Sequence, residues 1–315
     1  MPSGARRDES VESRMSASKP GPPHAPRFRG GRDMPFTDWS RMGRNGAAQP
    51  LVLAALVTPF RGEGIDVEGF EENIRYLDAM GLDGVLVAGT TGEREQLTHA
   101  ERDLLVRSAR AVLDDDMLIV GGLLADAADI DEAMADLQQL REAGADLALV
   151  APPPPEDVDE EVYVFALSQL SADAPLGVLA YQPPSYRSRP FSQKTIRAIG
   201  KIAGLAGVKD SVGDADLLAS WRKGAPRDGW AVFAGNADLF LSPTPQVTGG
   251  ILALASAEPE LFLAAARARG EKDEATLRIL RSELGPLLER FREEGLPALK
   301  EMLEERGLFG GEMRR

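Results

Sequence analysis

Leu176-Gly-Val-Leu-Ala-Tyr181, Ser192-Gln-Lys-Thr-Ile-Arg-Ala-Ile-Gly200 and Leu205-Ala-Gly-Val-Lys209 stand in succession as an apolar run, a segment of helical period and a second apolar run. Both runs are short and apolar without alternation, as strands are when each face of a parallel sheet is covered. Working outward, the same unit repeats. Strands are expected at Leu51 to Thr58, Gly84 to Val87, Leu118 to Gly121, Ala145 to Val150, Leu176 to Tyr181, Leu205 to Lys209, Ala231 to Gly235 and Gly250 to Leu254. Helices are expected between them, near Val67 to Met80, Thr98 to Leu113, Asp129 to Glu142, Val158 to Leu170, Ser192 to Gly200, Ala215 to Gly224, Asp238 to Gln246 and Glu258 to Arg269. Strand-helix units repeated over about 220 residues suit a closed (β/α)8 TIM barrel. An open doubly wound sheet shares the alternation, because periodicity carries no information about closure.

The barrel is expected over residues 49–270. Beyond Gly270 the period is purely helical, at Lys272 to Leu284, Pro286 to Glu294 and Pro297 to Arg306, each bounded by Gly or Pro. Residues 271–315 therefore read as an appended C-terminal helical segment, either a cover for the barrel or an oligomer contact. Residues 1–48 mix Ser, Gly, Pro and Arg with almost no apolar period. A stretch of that kind buries too little surface to offset its ordering entropy, so a disordered basic leader is expected.

Composition narrows the function. Of 315 residues 43% are hydrophobic, ample for a large core, and the net charge is -14 with the acidic excess entirely beyond the leader. An acidic body argues against a nucleic-acid surface, and any anionic substrate needs local cations, for which Lys209, Arg187 and Arg189 are available. The chain has no cysteine and only two histidines, His24 and His99. Disulfides, thiolate zinc sites, cysteine nucleophiles and a Ser-His-Asp triad are thereby set aside, and no metal is expected. No apolar run approaches the roughly 18 residues of a membrane span. Arg6-Arg7 has no apolar segment behind it, so a cytoplasmic protein is expected.

In a (β/α)8 barrel the reacting groups stand at the C-terminal strand ends. Lys209 ends the sixth strand; among apolar neighbours its amine would lose its charge more readily and could attack a carbonyl carbon. A surface lysine closing a strand is the plain alternative. Tyr181 ends the fifth strand, where a phenol can pass protons, or merely fill a core edge. Gly89-Thr-Thr-Gly-Glu93 follows the second strand. Its hydroxyls and amides can close around a carboxylate, although an ordinary connecting loop has the same composition. The conjunction of all three at strand ends favours a site over the plain readings.

From Leu51 to Leu308 the chain resembles the dihydrodipicolinate synthase/N-acetylneuraminate lyase family of class I aldolases and lyases. The resemblance rests on Val57-Thr-Pro-Phe60, Gly89-Thr-Thr-Gly-Glu93 with Leu97-Thr-His-Ala-Glu-Arg102, Gly144-Ala-Asp146, Tyr181, Gly207-Val-Lys-Asp-Ser211 and Gly249-Gly-Ile251. It implies a TIM barrel with C-terminal helices, a homo-oligomer (tetramer or dimer), and neither metal nor organic cofactor. It implies that Lys209 forms a Schiff base with pyruvate or another 2-oxo acid. Tyr181 and Thr91 would relay protons, Thr90 and Thr91 would hold the carboxylate, and backbone at Gly235 and Leu252 would line the pocket.

Departures bear on the substrate. Where the synthases carry Pro-Tyr-Tyr after the fourth strand, this chain has Pro152-Pro-Pro-Pro155. Arg187 lies one place beyond the arginine that would bind a second carboxylate, with Tyr186 in its stead, and the asparagine expected near Ala255-Ser-Ala-Glu258 is missing. The expected activity is therefore a lyase, aldolase or dehydratase acting on a 2-oxo acid, with dihydrodipicolinate synthesis disfavoured. A silent paralogue that binds a small carboxylate or a partner is the second reading. A doubly wound nucleotide-binding protein comes third, without a Gly-x-Gly-x-x-Gly to support it.

Overall fold

The computed structural model describes residues 49–114, 116–224, 229–244 and 246–314. The expected leader, residues 1–48, lies outside the described residues. In chain order, β1 (Leu51–Ala55) leads to a small hairpin of β2 (Phe60–Arg61) and β3 (Gly64–Ile65), then α1 (Val67–Met80) and β4 (Gly84–Val87). There follow α2 (His99–Val112), β5 (Leu118–Gly122), α3 (Ile130–Ala143), β6 (Leu147–Val150), α4 (Glu160–Asp173) and β7 (Gly177–Gln182). The barrel finishes with α5 (Gln193–Gly200), β8 (Leu205–Asp210), α6 (Ala215–Gly224), β9 (Ala231–Ala234), α7 (Ala237–Phe240), β10 (Gly249–Leu252) and α8 (Pro259–Glu271). Two further helices, α9 (Glu274–Glu294) and α10 (Leu296–Glu305), complete the chain.

Eight parallel strands close on themselves in the order β1-β10-β9-β8-β7-β6-β5-β4. Closure is made by β1, which pairs with β10 on one side and with β4 on the other, so the open-sheet alternative falls. Alternate strand residues separate two apolar layers. Leu53, Leu86, Val120, Leu149, Leu179, Phe233 and Ile251 fill the barrel, while Val52, Val85, Ile119, Ala148, Val178, Val208 and Val232 face the helices. Both faces being buried is why the strands lack a period of two. Helix starts follow the local chemistry. Thr98 and Glu101 form a reciprocal capping box on α2, and Asp129, Asp159 and Ser192 each accept a backbone N–H at the start of α3, α4 and α5.

Several expected boundaries move by a few residues, and three of the differences have an identifiable cause. The first strand ends at Ala55 and not at Thr58, since Val57 and Thr58 precede Pro59 and belong to the loop. α7 stops at Phe240, well short of Gln246. Pro243 forbids continuation, and the Arg269 guanidinium takes over the free carbonyls of Phe240 and Ser242. The helices expected on either side of Gly285-Pro286 are one helix, α9, with Pro286 inside it.

Burial decides that case. Leu277, Leu280, Leu284 and Leu288 form a stripe across the proline, and each contributes about 1.5–3 kcal/mol on burial. An interior proline costs about 3 kcal/mol relative to alanine, so the stripe wins. Pro286→Ala restores an N–H facing the Ser282 carbonyl and is expected to raise thermal stability by up to about 3 kcal/mol. A melting temperature that stays unchanged or falls would show that the exposed proline offsets its cost by restricting the unfolded chain. Among the described residues no helix is long and apolar enough to cross a membrane.

Candidate active site

Tyr181 and Lys209 are register partners on the adjacent strands β7 and β8, near the ends where the chain leaves the barrel. Both are buried, at 4% and 5% exposure. The Lys209 Nζ lies 4.9 Å from the centroid of the Tyr181 ring and makes no ion pair among the described residues. Burial lowers its pKa below the lysine value of 10.5, and the neighbouring phenol opposes this only in part. An amine in this setting favours the uncharged, nucleophilic form. The apolar strand that made Lys209 conspicuous in the sequence is the cause of its desolvation.

Gly235, just beyond β9, makes room for the lysine stem. A Cβ there would stand 1.9 Å from Ser211 Oγ and 3.0 Å from Lys209 Cε. The Gly235 N–H donates to the Asp210 carbonyl at 2.6 Å, which holds the loops after β8 and β9 together. Asp210 itself belongs to the outer layer. Its carboxylate accepts from the Val212 N–H at 2.9 Å, the Trp221 indole at 2.7 Å and the Gln182 amide at 3.1 Å. Burial pushes its pKa up to about 6 despite those donors. Adjacent residues of one strand thus divide the work: Lys209 lies with Tyr181 at the barrel's end, and Asp210 anchors the loop behind it.

Thr90 and Thr91 lie in a short 3-10 turn, Thr90–Gly92, after β4. β4 and β8 are four strands apart in either direction around the ring, so the turn and Lys209 occupy opposite walls. Two non-glycine residues in the left-handed region bracket the turn, Ala88 at φ 54° and Glu93 at φ 57°. Such conformations cost about 1–3 kcal/mol each and concentrate where a loop serves a purpose. Gly122 on β5 is what lets the first of them approach, since a Cβ there would fall 2.0 Å from the Ala88 carbonyl oxygen.

The remaining expected site residues divide. The side chain of Leu252 is buried in the layer facing the helices, so only its backbone is available to the mouth, while Ile251 points into the barrel. Arg187 ends a 3-10 turn after β7 and is exposed; its Nε donates to the Val212 carbonyl at 3.0 Å. It lines a solvent-open cleft of about 410 Å³ shared with Gln193 at the start of α5 and with Asp216, Leu217 and Ser220 of α6. Lys209, Tyr181 and Gly235 are therefore brought together, the threonine turn faces them across the barrel, and Arg187 stays on the rim.

Two further tyrosines, given no role by the sequence, support the site. The Tyr163 hydroxyl, on α4, donates to the Val150 carbonyl at 2.8 Å and accepts the Tyr181 backbone N–H at 3.2 Å. It therefore fixes the end of β7 from outside the barrel. The Tyr186 hydroxyl donates to the Pro153 carbonyl at 2.7 Å, tying the loop after β7 to the proline run after β6. Burial raises the pKa of both phenols, keeping them as neutral donors. Phe191 packs between their rings, with centroids 5.5 Å and 4.9 Å away. Tyr163 was hidden because it falls on the apolar stripe of α4 with Ala166, Leu167 and Leu170, where an aromatic reads as core.

A buried amine beside a phenol at the C-terminal end of a closed parallel barrel fits the chemistry of class I aldolases and lyases. Residues 50–315 match the dihydrodipicolinate synthetase family, and the chain belongs to it. It is 31% identical over 271 residues to the 4-hydroxy-tetrahydrodipicolinate synthase of Moorella thermoacetica, covering 84% of this chain and 90% of that protein. The crystal structure of a dihydrodipicolinate synthase superposes with a TM-score of 0.76 at 24% identity, covering 84% of this chain and 91% of that one. KD(P)GA from T. tenax superposes with a TM-score of 0.73 at 25% identity, again over 84% and 91% of the two chains. Among the described residues no group of His, Cys, Asp or Glu is arranged to hold a metal ion.

Proposed function

We propose that this protein is a lyase, aldolase or dehydratase that acts on pyruvate or another 2-oxo acid through an imine at Lys209, without a resident cofactor. The observation that carries this reading is the buried Nζ, free of an ion pair and 4.9 Å from the Tyr181 ring centroid. The neutral amine adds to the keto carbon, and the carbinolamine loses its oxygen as water to give an iminium. Tyr181 carries the protons, with Thr91 extending the relay. Thr90 and Thr91 hold the carboxylate through hydroxyls and turn amides on the opposite wall. The iminium then accepts the electron pair released when a bond at the neighbouring carbon breaks, and returns it when one forms.

Dihydrodipicolinate synthesis is disfavoured even though the relatives bear that name. Pro152–Pro155 offers no phenol and no backbone N–H, and two of its carbonyls are engaged by Tyr186 and Arg189. The lip beside Tyr181 is thus poor in donors for a second carboxylate, and the nearby cations Arg187 and Arg189 are exposed, each donating to a backbone carbonyl. The reading extends to a cytoplasmic homo-oligomer that binds neither nucleic acid nor membrane. The altered relay is also what a silent, ligand-binding member would show.

Trapping separates the two. Incubation with a panel of 2-oxo acids and borohydride is expected to leave a reduced adduct on Lys209, read as a mass increment on the peptide that contains it. Thermal stabilisation by a 2-oxo acid without any adduct would replace catalysis with simple binding.

A further inference from the structure

Lys300 is a cation on the inward stripe of α10, among the buried residues Leu299, Met302 and Leu303. Its Nζ lies 2.6 Å from Glu93 Oε1, with the two side chains 3% and 5% exposed. It also donates to the carbonyls of Thr58 at 3.0 Å and Glu312 at 2.5 Å. The other Glu93 oxygen accepts the Arg314 backbone N–H at 3.0 Å. The Phe60 ring centroid lies 5.1 Å from the Lys300 ammonium and 4.1 Å from the Arg314 guanidinium. The Thr58 hydroxyl donates to the Gly92 carbonyl at 2.7 Å.

Three of these contacts reach the last residues of the Gly89-Thr-Thr-Gly-Glu93 turn: Lys300 and the Arg314 N–H on Glu93, and the Thr58 hydroxyl on the Gly92 carbonyl. Glu93 holds a left-handed backbone that a non-glycine residue keeps only when its surroundings over-determine it. A buried ion pair is a poor device for stability alone, because well-packed apolar residues commonly do as well. Its value here is geometric: the pair ties the turn to a segment more than 200 positions later in the chain.

We infer that Glu93 and Lys300 are positioning residues through which the C-terminal segment sets the shape of the Thr90–Thr91 turn and with it the affinity for the substrate carboxylate. The inference rests on the assignment of that turn to the carboxylate. Lys209 stands on the opposite wall and shares no contact with the pair. A ketone without a carboxylate should therefore form its imine as before when the pair is lost.

The test is borohydride trapping on the full chain, with pyruvate and with acetone as probes, each over a concentration series. The proteins are the unaltered chain, Glu93→Gln, and the double variant Glu93→Gln/Lys300→Met, which removes both charges together. Half-saturating pyruvate is expected to rise about tenfold in both variants, the scale of one charge-assisted contact, while acetone shifts by less than about twofold. Equal losses for the two ketones would make the pair mere scaffolding and overturn the inference, as would unchanged pyruvate affinity. If the double variant does not fold, the near-isosteric Glu93→Gln decides alone. An unaltered chain that traps neither ketone refutes the imine at Lys209 itself, and this inference with it.

Discussion

Lys209→Ala is expected to lose the trapped adduct completely and to lower turnover by on the order of 10⁵-fold or more, the scale that follows removal of a covalent nucleophile. The barrel should stay folded, because among the described residues the lysine makes no ion pair and burial disfavours its charged head. Lys209→Met sharpens the point by refilling the stem volume without the charge. Since the folded-state pKa lies below 10.5, the folded protein carries a penalty for the protonated amine that the unfolded chain does not. That penalty is full below the folded-state value and declines as pH rises from there toward 10.5. Lys209→Met should therefore melt above the unaltered protein at neutral pH, with a difference that shrinks on alkalinisation. Imine formation should follow the free amine and plateau at a lower pH than an ordinary lysine would allow. A Lys209→Ala protein that still yields the adduct would mean that another amine does the chemistry.

Tyr181→Phe should slow turnover by about 10² to 10⁴-fold, the usual worth of a positioned proton carrier. The substitution keeps the ring beside Nζ, and it keeps the backbone N–H that donates to Tyr163. Stability should consequently change little, and the adduct should still form, only more slowly. Single-turnover trapping distinguishes this from loss of binding, which would shift saturation and leave the limiting rate alone. An unchanged limiting rate would transfer the proton relay to another group.

The strands and most helices were legible because their signals are local. Two-faced burial leaves unbroken apolar runs, and capping residues such as Thr98 with Glu101 mark helix starts within a few positions. Misplaced boundaries share a cause in contacts from far along the chain. Pro286 reads as a break until the leucines around it are seen to be buried, and the seventh helix reads as longer until Arg269 is seen on its last carbonyls. Arg187 read as a site cation because it lies one place beyond the arginine expected from the family resemblance; in the fold it ends the turn at Pro184–Arg187, exposed, with its Nε on the Val212 carbonyl. Lys300 did carry a signal, as a lysine on an apolar stripe, yet nothing local names Glu93 as its partner.

By itself the order of residues determined the strand-helix alternation, the amine at the end of β8, the phenol at the end of β7 and the threonine turn after β4. These follow from hydrophobic period, turn chemistry and position along a strand, all of which act over a few residues. Closure of the barrel, the 4.9 Å approach of Lys209 to the Tyr181 ring, and the tie between Glu93 and Lys300 were decided only in three dimensions. Each depends on which distant segments share a boundary, and that is settled by burying both faces of eight strands at once.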